Sequence, residues 1–143
     1  VRLKRAMNLP PAFALSRAQI VAQQILVRDA VTAVIEHTGN TEHLDALCAE
    51  LAVATALRKL ALAQIKTHLV PAEQLGALAV HLIEAEAALI GVKERHTRTG
   101  VVGCDHEQKQ ALLGLAAIVD TMRDNLPRRL WVLAIRSVFE KLR

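Results

Sequence analysis

The chain has 143 residues, of which 52% are hydrophobic, so it is long enough for one domain with a sizeable core. Its only aromatic residues are Phe13, Trp131 and Phe139, too few rings to build a stacking platform for bases or a flat cofactor. The net charge of +4 is unevenly placed: residues 1–17 and 127–143 are each +4, residues 18–92 are −4 and residues 93–126 are neutral. A chain with basic ends and an acidic middle suits an anionic partner such as DNA, head-to-tail self-association, or a plain solvated surface.

Residues 1–15 form a basic N-terminal arm carrying Arg2, Lys4 and Arg5. The basic head and short apolar run resemble a signal peptide, but Asn8, Pro10 and Pro11 interrupt the apolar part and argue against one. Val1 in place of Met fits an alternative start codon, a processed end or a trimmed chain. The rest, 16–143, reads as a single helical domain.

A first helix is expected from an N-cap at Ser16 to about Thr38, with Ile20, Val27, Val31 and Val34 inward and Val21, Ile25 and Ile35 widening the stripe. Gly39-Asn40 is a turn, and Thr41 is the expected cap of a second helix running to about His68. That helix is apolar on two faces, one through Leu44, Leu47, Leu51 and Ala54 and one through Val53, Leu57 and Leu60, as in a helix buried between neighbours. Pro71 suits the start of a third helix, whose Leu75, Leu78, Leu82, Ala85, Leu89 and Val92 form an unbroken 3/4 series with Glu84 on the opposite side. The stretch 94–107, ERHTRTGVVGCDHE, reads as a Gly-broken connection that ends on Asp105 as the next N-cap. A fourth helix follows through Leu112, Leu115, Val119, Met122 and Leu126, then Pro127, then a last helix with Trp131, Ile135, Val138 and Leu142 on one side. The expected fold is all-α: an antiparallel bundle of four to five helices, two of them long. Long, Ala-rich helices with two apolar faces suggest a homo-oligomer, a dimer first.

The motifs for chemistry are weak. His96, Cys104 and His106 have the spacing H-x7-C-x-H, which matches no zinc knuckle, and His81-Leu82-Ile83-Glu84 reverses the order a di-iron bundle needs. No phosphate loop or nucleophile elbow is present, so neither metal, cofactor nor catalytic residue is expected. Cys48 and Cys104 cannot make a disulfide framework; a reducing, cytoplasmic compartment is the default, and no run of about 18–20 apolar residues stands out as a membrane span. HTRTG, residues 96–100, resembles the H-x-x-K-G of histidine phosphotransfer domains but lacks the Lys. Residues 47–60 resemble the start of a helix-turn-helix, but Ala, Leu and Glu favour a continuous helix there.

Two stretches together, RAMNLPPAFAL (5–15) and RHTRTGVVGC (95–104), resemble short helical proteins of bacterial prophages, plasmids and genomic islands, with their LPPAF start and R-x-x-R-x-G-x-x-G loop. The resemblance implies a mobile-element origin and no established activity. The expected function is therefore that of a non-enzymatic accessory or regulatory protein. It would bind DNA or a host protein through Arg2, Lys4 and Arg5, through Arg95 and Arg98, and through Arg128 and Arg129. The second expectation is a structural, self-assembling helical module; the third is a phosphotransfer-like protein.

Overall fold

A computed structural model describes residues 17–63, 72–126 and 128–141. They form five helices: α1 (Arg17–Ile35), α2 (Thr41–Ala63), α3 (Ala72–Thr99), α4 (His106–Asn125) and α5 (Arg128–Lys141). No strand is present among the described residues, and the chain is an all-α bundle. The basic arm, the Ser16 cap, Pro71 and Pro127 lie outside the described residues.

Helices α1 to α4 pack in a ring, each against its neighbours in sequence and α1 against α4, while α5 packs on α2. At one end of the bundle the two connections are tied together. Gly39 pairs with Val102 in an isolated antiparallel bridge. The α1 helix closes in a Schellman turn, in which the Thr38 amide donates to the Ala33 carbonyl at 2.9 Å and the His37 amide to the Val34 carbonyl at 3.2 Å. His37 takes the left-handed position there, with φ of 61°, where glycine is usual. Its ring lies against Gly103, at which any Cβ would collide with it.

Two boundaries differ from the sequence expectation. Asn40, not Thr41, caps α2: its Oδ1 accepts from the His43 amide at 3.0 Å, and its own amide donates to His43 Nδ1 at 3.1 Å. Helix α3 runs on through Thr99, so only residues 100–105 are loop. The helical hydrogen bonds of 94–99 outweigh the β-branched Thr residues there, and Thr97 and Thr99 turn their hydroxyls back to the Lys93 and Arg95 carbonyls. Gly100 then stops the helix with φ of 74°. Asp105 does cap α4, in a capping box with Gln108. The stretch 47–60 is continuous helix.

The core divides into two clusters stacked along the bundle. The first, near the connections just described, joins Val27, Val31 and Val34 of α1 to Leu44, Leu47, Leu89, Val92 and Leu112. The second joins Leu130, Trp131, Ile135 and Val138 of α5 to Val53, Leu57, Leu75, Leu78, Leu115 and Met122. Both draw on α2, α3 and α4; α1 serves only the first and α5 only the second. Val21 and Ile25, expected to widen the inward stripe of α1, are instead exposed, because the covered side of α1 runs through Gln23, Val27, Ala30, Val31 and Val34.

Candidate functional site

Two groups of residues stand out, one inside the bundle and one on its surface. The internal one is a polar chain. Glu50 on α2 is 2% exposed, among apolar neighbours. Arg123 of α4 reaches it with one guanidinium nitrogen, Nη2 to Oε1 at 3.2 Å, and reaches Asp120 with the other at 3.4 Å. Asp120 also accepts from Gln24 at 2.7 Å and pairs with Arg28 of α1 at 2.8 Å. The Arg123 guanidinium lies 4.8 Å from the Trp131 ring centroid, a cation–π contact that ties in α5. Burial pushes the Glu50 carboxyl above its usual range; Arg123 opposes the shift but does not cancel it. Asp120 holds the exposed Arg28 guanidinium in its charged form, by hydrogen bond and by charge. The chemistry of this chain is mutual neutralisation: each carboxylate is matched by a guanidinium. Gln23, 7% exposed, has no hydrogen-bond partner for either amide atom among the described residues.

The surface group lies on α3. Its inward face carries the predicted series: Leu75, Leu78, Leu82, Ala85, Leu89 and Val92 are all buried. Turned away from them is a second 3/4 series, Gly76, Val80, Ile83, Ala87 and Ile90, and all five are exposed. Val80 is 54%, Ile83 70% and Ile90 52% exposed, so this is an apolar stripe about 21 Å long at 1.5 Å per residue. Beside it a cleft of about 550 Å³ runs between Ile83, Glu84, Ala87 and Ala88 of α3 and Asp105, Glu107, Gln108 and Ala111 at the start of α4. Beyond Ile90 a shallower hollow of about 360 Å³ is lined by Lys93, Glu94, Thr97 and Arg98. With apolar residues on both faces, Leu75–Thr99 is the one described helix long and apolar enough, by length and composition, to cross a membrane. The sequence expectation of no such run is corrected on this point. Its inward residues are occupied in the bundle core, and Glu84 and Glu86 are exposed.

The sequence-predicted binding residues do not come together. Arg95 and Arg98 stand on the last turns of α3, Arg95 half-buried and Arg98 exposed, rather than in a loop. Arg128 and Arg129 are exposed on the first turn of α5. Helix α4, 20 residues or about 30 Å long, separates the two pairs end to end. Arg2, Lys4 and Arg5 lie outside the described residues. Asp120 of α4 pairs with Arg28 and Arg123.

Among the described residues no three His, Cys, Asp or Glu side chains converge to hold a metal ion. Cys48 and Cys104 are free thiols. Burial, reinforced by the Asp105 carboxylate, raises the Cys104 thiol above its usual value. Sequence reasoning missed the outward stripe of α3, although its 3/4 spacing was readable one or two residues out of step with the inward series. It also missed Glu50 and Arg123, 73 positions apart, which no local pattern links. Set against protein-family models, curated proteins and solved structures, the chain matches none.

Proposed function

We propose that this chain is a helical interaction module that acts by binding a protein through the outward face of α3, not by catalysis. The observation that carries the reading is the stripe Val80–Ile83–Ala87–Ile90, exposed over several turns beside a cleft. A contiguous apolar patch of that kind on a folded surface marks an interaction site more often than chance exposure does. The polar side chains that do converge, Gln24, Arg28, Glu50, Asp120 and Arg123, neutralise one another within the fold, which supports binding over chemistry. The separation of Arg98 from Arg128 and Arg129 speaks for an apolar protein contact over one continuous phosphate-tracking surface.

Photo-crosslinking in cells tests this. A benzoylphenylalanine placed at Ile83 or Ile90 should give a protein adduct, whereas the same group at the exposed Lys59 of α2 should give none. Equal yields at all three positions, or none on α3, would overturn the reading.

A further inference from the structure

The outward face of α3 is complementary to itself, and we infer that its partner is a second copy of this chain, docked as an antiparallel α3–α3 pair about a two-fold axis. The inference rests on α3 being the binding face and adds what covers it. Consider two copies of α3 laid antiparallel with Ile83 of each against Ala87 of the other. Val80 then meets Ile90, which opens onto the shallow hollow beside Glu94 and Thr97. In the same register Gly76, whose Cβ position is open space, lies opposite Glu94. A carboxylate there faces the first turns of the other helix, where the helix dipole favours it.

The charges at the rim follow the same symmetry. Glu73 and Arg98 are both exposed, stand on the same flank of the stripe, and make no ion pair among the described residues. In the antiparallel register Glu73 of each copy falls against Arg98 of the other, so one two-fold operation makes two identical pairs. A parallel arrangement would instead leave Glu73 and Arg98 about 37 Å apart along the pair, with no partner for either across the seam. Glu84 and Glu86 stand about 100° and 60° round the helix from Ile83, one on each flank, clear of the contact line. Gly76 and Ala87 let the two backbones come close, and Ile83 of each copy projects towards the cleft at its neighbour's Ala87 and Ala88.

The extent of the face sets the strength. Helix α3, 28 residues or about 42 Å long and about 10 Å wide, offers a footprint of roughly 400 Å² per copy. That lies at the low end for specific association, so the dimer is concentration-dependent, with dissociation in the micromolar range.

Sedimentation velocity on the whole chain, from about 5 to about 300 µM, tests the inference. The expected mass rises with concentration towards twice the 15.6 kDa of the chain. Ile83→Glu and Arg98→Glu should each weaken association at least about tenfold. The double variant Glu73→Arg/Arg98→Glu, which exchanges the charges, should return to within about threefold of the parent. Circular dichroism establishes that each variant keeps its helices, and the charge-exchange pair decides the matter if Ile83→Glu does not fold. A parent chain that stays monomeric at the top concentration, or a charge-exchanged double variant no stronger than Arg98→Glu, would overturn the two-fold dimer. If such a monomer still crosslinks from Ile83 to a different protein, α3 remains the binding face and only the second copy is refuted. If it instead co-sediments with lipid vesicles in an Ile83-dependent way, the face meets a bilayer and both readings fall.

Discussion

Replacing Arg123 by Leu isolates the energetic role of the internal polar chain. The substitution keeps most of the aliphatic stem but leaves the Glu50 carboxylate, 2% exposed, with no counter-ion. Removing one member of a buried pair typically costs about 3–5 kcal/mol, mostly from the bare charge left behind. Roughly 1 kcal/mol of this is the lost cation–π contact with Trp131. For a chain of this size the loss corresponds to a fall in melting temperature of roughly 8–16 °C. The pH dependence carries a sign. Glu50 already binds its proton more tightly in the folded state than in the unfolded chain, so its ionisation disfavours folding above the ordinary carboxyl value of 4.5. Without Arg123 that effect grows, so the deficit of Arg123→Leu should be largest at neutral pH and shrink as the pH falls below 4.5, where Glu50 is neutral in both states. The double variant Glu50→Leu/Arg123→Leu should recover most of the loss even at pH 7, because Asp120 keeps Arg28 and Gln24. Urea unfolding followed by helical circular dichroism at neutral and acid pH measures all of this. A single variant within about 1 kcal/mol of the parent at pH 7, or a double variant as unstable as the single, would refute the reasoning.

Other outcomes follow from single positions. Gln23→Leu should stabilise the chain by about 1–2 kcal/mol in urea unfolding, since it removes a buried amide that has no partner among the described residues; a loss of stability would mean that the amide is bonded. Gly100→Ala should cost about 1 kcal/mol, because φ of 74° strains any residue with a Cβ, although the space itself is open; an unchanged urea midpoint would count against it. Cys104, buried and with its thiol held protonated, should react with a disulfide reagent at neutral pH only slowly until urea is added; immediate reaction of both cysteines in the native chain would contradict the packing. Glu50→Gln should gain stability relative to the parent as pH rises above 4.5, the opposite of what a carboxylate stabilised by its partner would show, and a pH titration of the urea midpoint reads the sign.

Most of the fold is legible in the sequence because helical periodicity is a local signal. The inward series on α3, the Gly100 stop and the Asp105 cap are all set by residues within a turn or two of one another. The end of α1 is less legible: a histidine at a left-handed position gives no warning, and His37 is held there by Gly103, which arrives from a distant connection. The exposure of Val21 and Ile25 was unreadable for a related reason, since apolar residues at helical spacing do not say how wide a side of the helix is covered. The candidate surface was half legible. Two apolar faces on a long helix suggest a partner, but only the packing decides which of them the fold itself uses. The basic residues misled because charge along a sequence carries no distance: α4 sets Arg98 and Arg128 at opposite ends.

The stacking of two cores on three shared helices has a consequence for how the molecule comes apart. Helix α1 is clamped by one cluster and α5 by the other, so either can lift away while its counterpart stays seated. Amide hydrogens should therefore exchange in three tiers: α1 and α5 through separate partial openings, each insensitive to mutations beneath the other except at Arg123, and the middles of α2, α3 and α4 only when the whole chain unfolds. The domain would then behave less as a single block than as a three-helix spine with two covers, coupled through Arg123, which links Asp120 under α1 to Trp131 of α5.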